Sequence, residues 1–180
     1  MERNVTRIAL FAALIAALGL IPKINLISGV PITAQSLGVM LCGTVLGARR
    51  GALAVLLFLS LVALGLPLLA GGRGGLGLFV SPSGGFLLGW IAGAFVTGLI
   101  MEKLRLVNVT VTAIIAATVG GIVVLYIPGI IGMAIVLDKP LPEAAALALP
   151  FIPGDLIKAA IAGVLTSALA KARPASLLSR

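Results

Sequence analysis

The chain has 180 residues, of which 61% are hydrophobic and 10% charged, far below the roughly 25% charged residues of a soluble domain. This is the composition of an integral membrane protein, and its length fits one domain spanning 1–180. Histidine is absent and Cys42 is the sole cysteine, which excludes disulfides, His-based general-base chemistry and the usual zinc and haem sites.

The first apolar run follows Arg3 and Arg7, and a helix is expected over 5–22. Its alanines recur every four residues: Ala9, Ala13 and Ala17 form one stripe, with Ala12 and Ala16 beside it. Small residues at this spacing let another helix approach closely; the other helix belongs either to this chain or to a partner protein. A loop with Lys23, Asn25, Ser28 and Gly29 leads to a second helix over 31–48, with Thr33, Gln35 and Ser36 near its start. Gly47-Ala48-Arg49-Arg50-Gly51 reads as a tight basic turn, and a third helix follows over 52–70, interrupted by Gly65 and Pro67.

A glycine-dense connection comes next, Gly71-Gly72-Arg73-Gly74-Gly75-Leu76-Gly77, running on to Ser81-Pro82-Ser83. Glycine there allows sharp bends and leaves N–H groups open to an anion. A flexible connection is the plainer alternative; Arg73, with glycine on both sides, favours a lid over a ligand. The fourth helix, 84–102, carries Phe86 and Trp90 one turn apart. Glu102-Lys103-Leu104-Arg105 is a second basic turn. The fifth run, 109–136, exceeds the hydrocarbon thickness at about 1.5 Å per residue, so a break or kink is predicted near Pro128. Asp138 to Glu143 reads as a polar loop, and the sixth helix covers 149–171.

Six runs put both termini on one side. With the N-terminus in the cytoplasm, the inner segments hold Arg3, Arg7, Arg49, Arg50, Lys103, Arg105, Lys171, Arg173 and Arg180, while the outer loops hold only Lys23, Arg73 and Lys139. Nine basic residues against three satisfy the positive-inside rule. The net charge of +8 therefore reflects membrane topology and not nucleic-acid binding. The expected fold is all-α, a six-helix bundle in the bilayer with both termini cytoplasmic and a ligand pocket facing outward.

Asp155 and Lys158 stand out because they open the last helix. A charge at the centre of a membrane helix costs about 2.5–3.5 kcal/mol, and the cost falls toward the helix end. The i, i+3 spacing puts both on one face, where they can screen each other and line a polar cavity. An ion pair that merely seats the helix is the alternative. Pro150 and Pro153 suit a helix start. By this topology Asp155, Lys158, Arg73, Gln35, Thr33, Trp90 and Phe86 all fall toward the outside, as does Tyr126 if the fifth helix runs outward. No nucleophile–base pair is present, since Ser83 has no histidine to activate it, and no Walker A motif occurs. The inventory fits a small binding subunit that depends on a separate motor, with no cofactor and no metal.

Four stretches resemble the BioY family, the biotin-specific substrate-binding (S) components of energy-coupling factor (ECF) transporters. They are Pro31-Ile32-Thr33-Ala34-Gln35-Ser36-Leu37-Gly38; Gly47-Ala48-Arg49-Arg50-Gly51-Ala52; Gly71-Gly72-Arg73-Gly74-Gly75 with Pro82-Ser83-Gly84-Gly85-Phe86; and Pro150-Phe151-Ile152-Pro153-Gly154-Asp155-Leu156-Ile157-Lys158. The resemblance implies biotin capture for ATP-driven uptake across the cytoplasmic membrane of a prokaryote, together with a transmembrane coupling protein and two ATP-binding cassette subunits. It also implies that Ala9, Ala13 and Ala17 meet the coupling protein. Biotin makes chemical sense of the residues. Asp155 could accept a ureido N–H, Lys158 could meet the ureido oxygen, and Arg73 could hold the carboxylate. Phe86, Trp90, Tyr126 and Phe151 could pack the rings. Gln35 lies in a family motif and either joins the site or braces the second helix. Two other functions stay open at this point: capture of another vitamin, and a structural membrane subunit with no ligand.

Overall fold

The computed structural model describes residues 2–104 and 108–180, so Arg105 of the second basic cluster lies outside the described residues. The elements are α1 (Glu2–Leu18), α2 (Gln35–Leu46), α3 (Ala48–Ala63), α4 (Gly84–Lys103), α5 (Val109–Thr118), a π-helical segment (Val119–Val124), α6 (Leu125–Leu137), α7 (Leu141–Ala148) and α8 (Ile152–Ala172). Short 3-10 turns cover Leu76–Val80, Leu149–Phe151 and Pro174–Ser176. Extended pairing among the described residues is limited to two isolated bridges, Ile24 with Ile32 and Leu69 with Arg73. Among the described residues, three helical stretches are long and apolar enough to cross a bilayer: Gly84–Lys103, Val109–Leu137 and Leu141–Ala172.

Several element boundaries differ from expectation, each for a local reason. The bridge at Ile32 holds the chain extended, so α2 begins at Gln35 and not at 31. The expected basic turn at 47–51 shrinks to the one-residue hinge Gly47, and Arg49 and Arg50 sit in the first turn of α3. Gly47 has φ 83°, a left-handed conformation open to glycine, and a Cβ there would run into Glu102 Oε1. That same oxygen accepts the Ala48 N–H at 2.8 Å. The third helix stops at Ala63 and not at 70, because Gly65 (φ 101°) and Pro67 follow. The polar loop is shortened: Asp138 adopts a left-handed C-cap (φ 50°), and α7 starts at Leu141.

The fifth run does not break at Pro128. Helix continues through it, and the irregularity lies upstream at Val119–Val124. Proline cannot donate to the carbonyl four residues back, here Val124, and its ring crowds that carbonyl. A π segment that ends at Val124 shifts the hydrogen-bond register just where the proline disturbs it.

The core is built around α4. Its glycines Gly85, Gly89 and Gly93 recur every four residues and face the α5–α6 rod. A Cβ on Gly89 would stand 2.6 Å from Leu125 O, and one on Gly93 would stand 2.8 Å from Gly120 O. The backbones meet at van der Waals distance because no side chain separates them. At the opposite face α4 packs on α2 and α3, with Phe58 of α3 against Trp90 of α4 at 6.2 Å between centroids.

The two termini meet: Arg7 Nη2 donates to Ala175 O at 3.3 Å. The final residues tuck under the α2–α3 hinge, where the Leu178 and Ser179 N–H groups both donate to Val45 O. Arg180 Nη2 donates to Thr112 Oγ1 at 2.8 Å and to Leu104 O. Arg7, Arg49, Arg50, Lys103 and Arg180 therefore gather at one end of the molecule. The stripe Ala9, Ala13 and Ala17 is exposed on the outer face of α1, whereas Ala12 is buried.

Candidate functional site

At the end of the bundle opposite the termini, α2, α4, α6, α8 and the loops before α2 and α4 enclose a cavity of about 560 Å³, its open mouth included. Gln35, Arg73, Phe86, Trp90, Tyr126, Phe151, Asp155 and Lys158 all line it. They come from positions 35 to 158, and the fold brings every one of these candidates to one wall or another of the same space.

The charged pair sits where α8 begins. Lys158 Nζ donates to Asp155 Oδ1 at 2.9 Å, and both side chains are largely buried, 14% and 10% exposed. The pair is not closed on itself. Ser36 Oγ, from the first turn of α2, donates to Asp155 Oδ1 at 3.2 Å and accepts from Lys158 Nζ at 2.9 Å. Tyr126 Oη, from α6, donates to Asp155 Oδ2 at 2.8 Å. Asp155 is held by three donors from three helices. A carboxylate has about four acceptor positions and an ammonium three donors. One acceptor position on Asp155 and one N–H on Lys158 are left for the cavity.

Phe86 forms the aromatic wall with Tyr126 (5.9 Å, edge-on) and Phe151 (5.9 Å, tilted). Phe86 fits there because Gly129 has no side chain: a Cβ on Gly129 would be 2.5 Å from the Phe86 ring. Trp90 adds its own surface one turn further along α4. These rings give the cavity apolar walls between its polar groups.

Arg73 closes a tight hairpin. Its N–H donates to Leu69 O at 3.1 Å and its carbonyl accepts from Leu69 N–H at 3.0 Å. Gly71 (φ 81°) and Gly72 (φ 69°) make the reversal. The glycine-dense stretch here is thus a built turn. Arg73 Nε donates to Ala70 O at 3.2 Å. Half-buried, the guanidinium has its pKa drawn down by desolvation, yet an arginine remains charged.

Gln35 lines the cavity, but its amide is committed elsewhere. Nε2 donates to Ile15 O and to Leu68 O, both at 3.0 Å, and Oε1 accepts from Ala70 N–H at 2.9 Å. Fully buried, it ties α1 and the α3–α4 connection to the start of α2, which is the bracing alternative. The sequence reading missed Ser36 and one role of Tyr126. Ser36 stood in a family-like motif, and its position beside an acid 119 residues away is not encoded locally. Tyr126 was expected to pack rings, and its phenol turns out to bond the carboxylate.

The BioY family model matches residues 2–175. The chain belongs to the BioY family. It is 58% identical to the biotin transporter BioY of Rhodobacter capsulatus, with all of both chains covered. It is 42% identical to the probable biotin transporter BioY of Bacillus subtilis, over 94% of this chain and 91% of that one. Among solved structures, the S-component for biotin from an ECF-type ABC transporter superposes with a TM-score of 0.89 at 34% identity, over 94% of this chain and 92% of that one. This BioY chain shares that fold as an integral membrane protein of the prokaryotic type, and its family is one of transporter components and not of enzymes.

Proposed function

We propose that this chain captures biotin at the outer face of the cytoplasmic membrane and delivers it to an ECF transporter for ATP-driven uptake. The observation that carries this reading is one cavity that combines an Asp155–Lys158–Tyr126 cluster, an aromatic wall and Arg73. Biotin has a ureido group, an apolar bicyclic body and chain, and a carboxylate. The open acceptor position on Asp155 takes a ureido N–H, and the remaining Lys158 N–H meets the ureido oxygen. Phe86, Trp90, Tyr126 and Phe151 pack the rings and chain. Arg73 receives the carboxylate by a charge-assisted hydrogen bond. Gln35 supports the wall and does not meet the ligand through its amide.

In the same reading residues 1–180 form one domain of six membrane-crossing segments. Both termini are cytoplasmic and the cavity opens outward. The gathering of Arg7, Arg49, Arg50, Lys103 and Arg180 at the end away from the cavity supports this orientation through the positive-inside rule. The exposed stripe Ala9, Ala13 and Ala17 supports docking of a transmembrane coupling protein, which in turn works with two ATP-binding cassette subunits. No α1 neighbour within the chain covers these alanines among the described residues.

The test is a titration of biotin into the purified, detergent-solubilised protein, with thiamine and riboflavin as controls. Tight binding of biotin alone is expected. A folded sample that binds none of the three overturns the reading.

A further inference from the structure

The polar groups on the cavity wall are nearly all committed within the protein. Thr33 Oγ1 accepts from the Gln35 N–H, the Gln35 amide is bound to main chain on both sides, and Ser36 and Tyr126 serve Asp155. Ser83 stands apart from these. It lines the cavity, is only 5% exposed, and its Oγ has no hydrogen-bond partner among the described residues. Its own backbone is well held: its N–H donates to Ser81 Oγ at 3.3 Å and its carbonyl accepts from Leu87 N–H at 3.0 Å. The hydroxyl alone is unengaged. Thr97 Oγ1 is also buried and unpartnered, but it lies against Gly120 in the helix contact, away from the cavity.

A buried hydroxyl without a partner is costly, and native proteins hold few of them. The position of Ser83 suggests its partner. It immediately precedes α4 and does not cap that helix with its side chain, so the positive end of the α4 dipole is left open to a negative group. Ser83 also closes the connection that carries Arg73. At the other side of the cavity Asp155 would repel a second carboxylate. An anionic ligand tail is therefore driven away from α8 and toward Arg73 and the start of α4.

We infer that the Ser83 hydroxyl is a further substrate-binding group, donating a hydrogen bond to the ligand carboxylate that Arg73 also holds. This rests on the proposed biotin reading. Ser83 then contributes to specificity for a free acid over its uncharged derivatives, because a neutral amide or ester cannot accept as strongly from both groups.

The experiment compares wild type and Ser83→Ala, each titrated with biotin and with biotin amide, whose tail is neutral. Ser83 has an ordinary helical conformation (φ −79°), which alanine adopts freely. Loss of one charge-assisted bond predicts that Ser83→Ala weakens biotin binding about ten- to a hundred-fold and weakens amide binding by a smaller factor, about two- to tenfold. Should the alanine variant not fold, Ser83→Cys keeps the volume, weakens the hydrogen bond and must shift biotin affinity in the same direction. Unchanged biotin affinity overturns the role of Ser83 while leaving the site reading intact. Equal losses for acid and amide overturn the carboxylate assignment. Failure of the wild type to bind biotin overturns the site reading itself, and this inference with it.

Discussion

Tyr126 Oη lies 2.8 Å from Asp155 Oδ2, joining α6 to α8 across the cavity floor. The bond fixes the carboxylate from the side that Lys158 and Ser36 do not reach. Tyr126→Phe keeps the ring against Phe86 and removes only this donor. Losing a hydrogen bond to a buried charged group costs about 1.5–3 kcal/mol, so biotin affinity is expected to fall by at least about tenfold. Calorimetric titration of the variant checks it; full affinity would mean that the phenol does not position Asp155.

Removing Asp155 is expected to do more than empty one subsite. Lys158 would remain, 14% exposed, as a cation without its counter-charge, and breaking such a pair typically costs about 3–5 kcal/mol. Asp155→Asn should therefore lower both thermal stability and biotin affinity. The double variant Asp155→Asn, Lys158→Met should recover stability relative to Asp155→Asn alone, without recovering binding. A double variant less stable than the single one would count against the buried-charge explanation.

Gln35→Leu strands the Leu68 carbonyl and the Ala70 N–H and takes one of two donors from the Ile15 carbonyl, which keeps the Gly19 N–H. Each buried group left unsatisfied costs about 1–3 kcal/mol. The expected outcome is a clear drop in melting temperature in the absence of biotin, since the residue holds loops together before any ligand arrives. If melting were unaffected and only biotin affinity fell, Gln35 would belong to the ligand and not to the scaffold.

Ala13 is exposed on α1, so Ala13→Leu adds bulk without disturbing the chain's own core. Biotin binding by the isolated protein should be unchanged, and uptake by the whole transporter in cells or proteoliposomes should be strongly reduced. Uptake at the wild-type rate would exclude this stripe as the docking face.

Gly89→Val places a branched side chain where a Cβ would already be 2.6 Å from Leu125 O. Forcing α4 and α6 apart moves Phe86 and Trp90 away from Tyr126, so both stability and binding should suffer. Overpacking of this kind costs about 1–3 kcal/mol, measurable in a thermal melt. An unchanged melting temperature would show that this contact is not tight.

Composition and local spacing account for much of the molecule. The apolar runs make a membrane protein, and the basic residues at alternate connections support the proposed orientation. The i, i+3 interval of Asp155 and Lys158 makes them partners on one helix face, since helical geometry leaves no alternative. The motifs around Gln35, Arg73, Phe86 and Asp155 named the residues that converge on the cavity. The remaining contacts join groups distant in the chain. Ser36 and Tyr126 reach Asp155 from 119 and 29 positions away, and no periodicity records such a meeting. The amide of Gln35 turned toward main chain because the end of α1 and the α3–α4 connection offered carbonyls at hydrogen-bond distance. Pro128 marked a disturbance in its helix, but the register shift that absorbs it lies upstream, against the glycines of α4. Helix packing, which depends on backbone approach in three dimensions, chose that place.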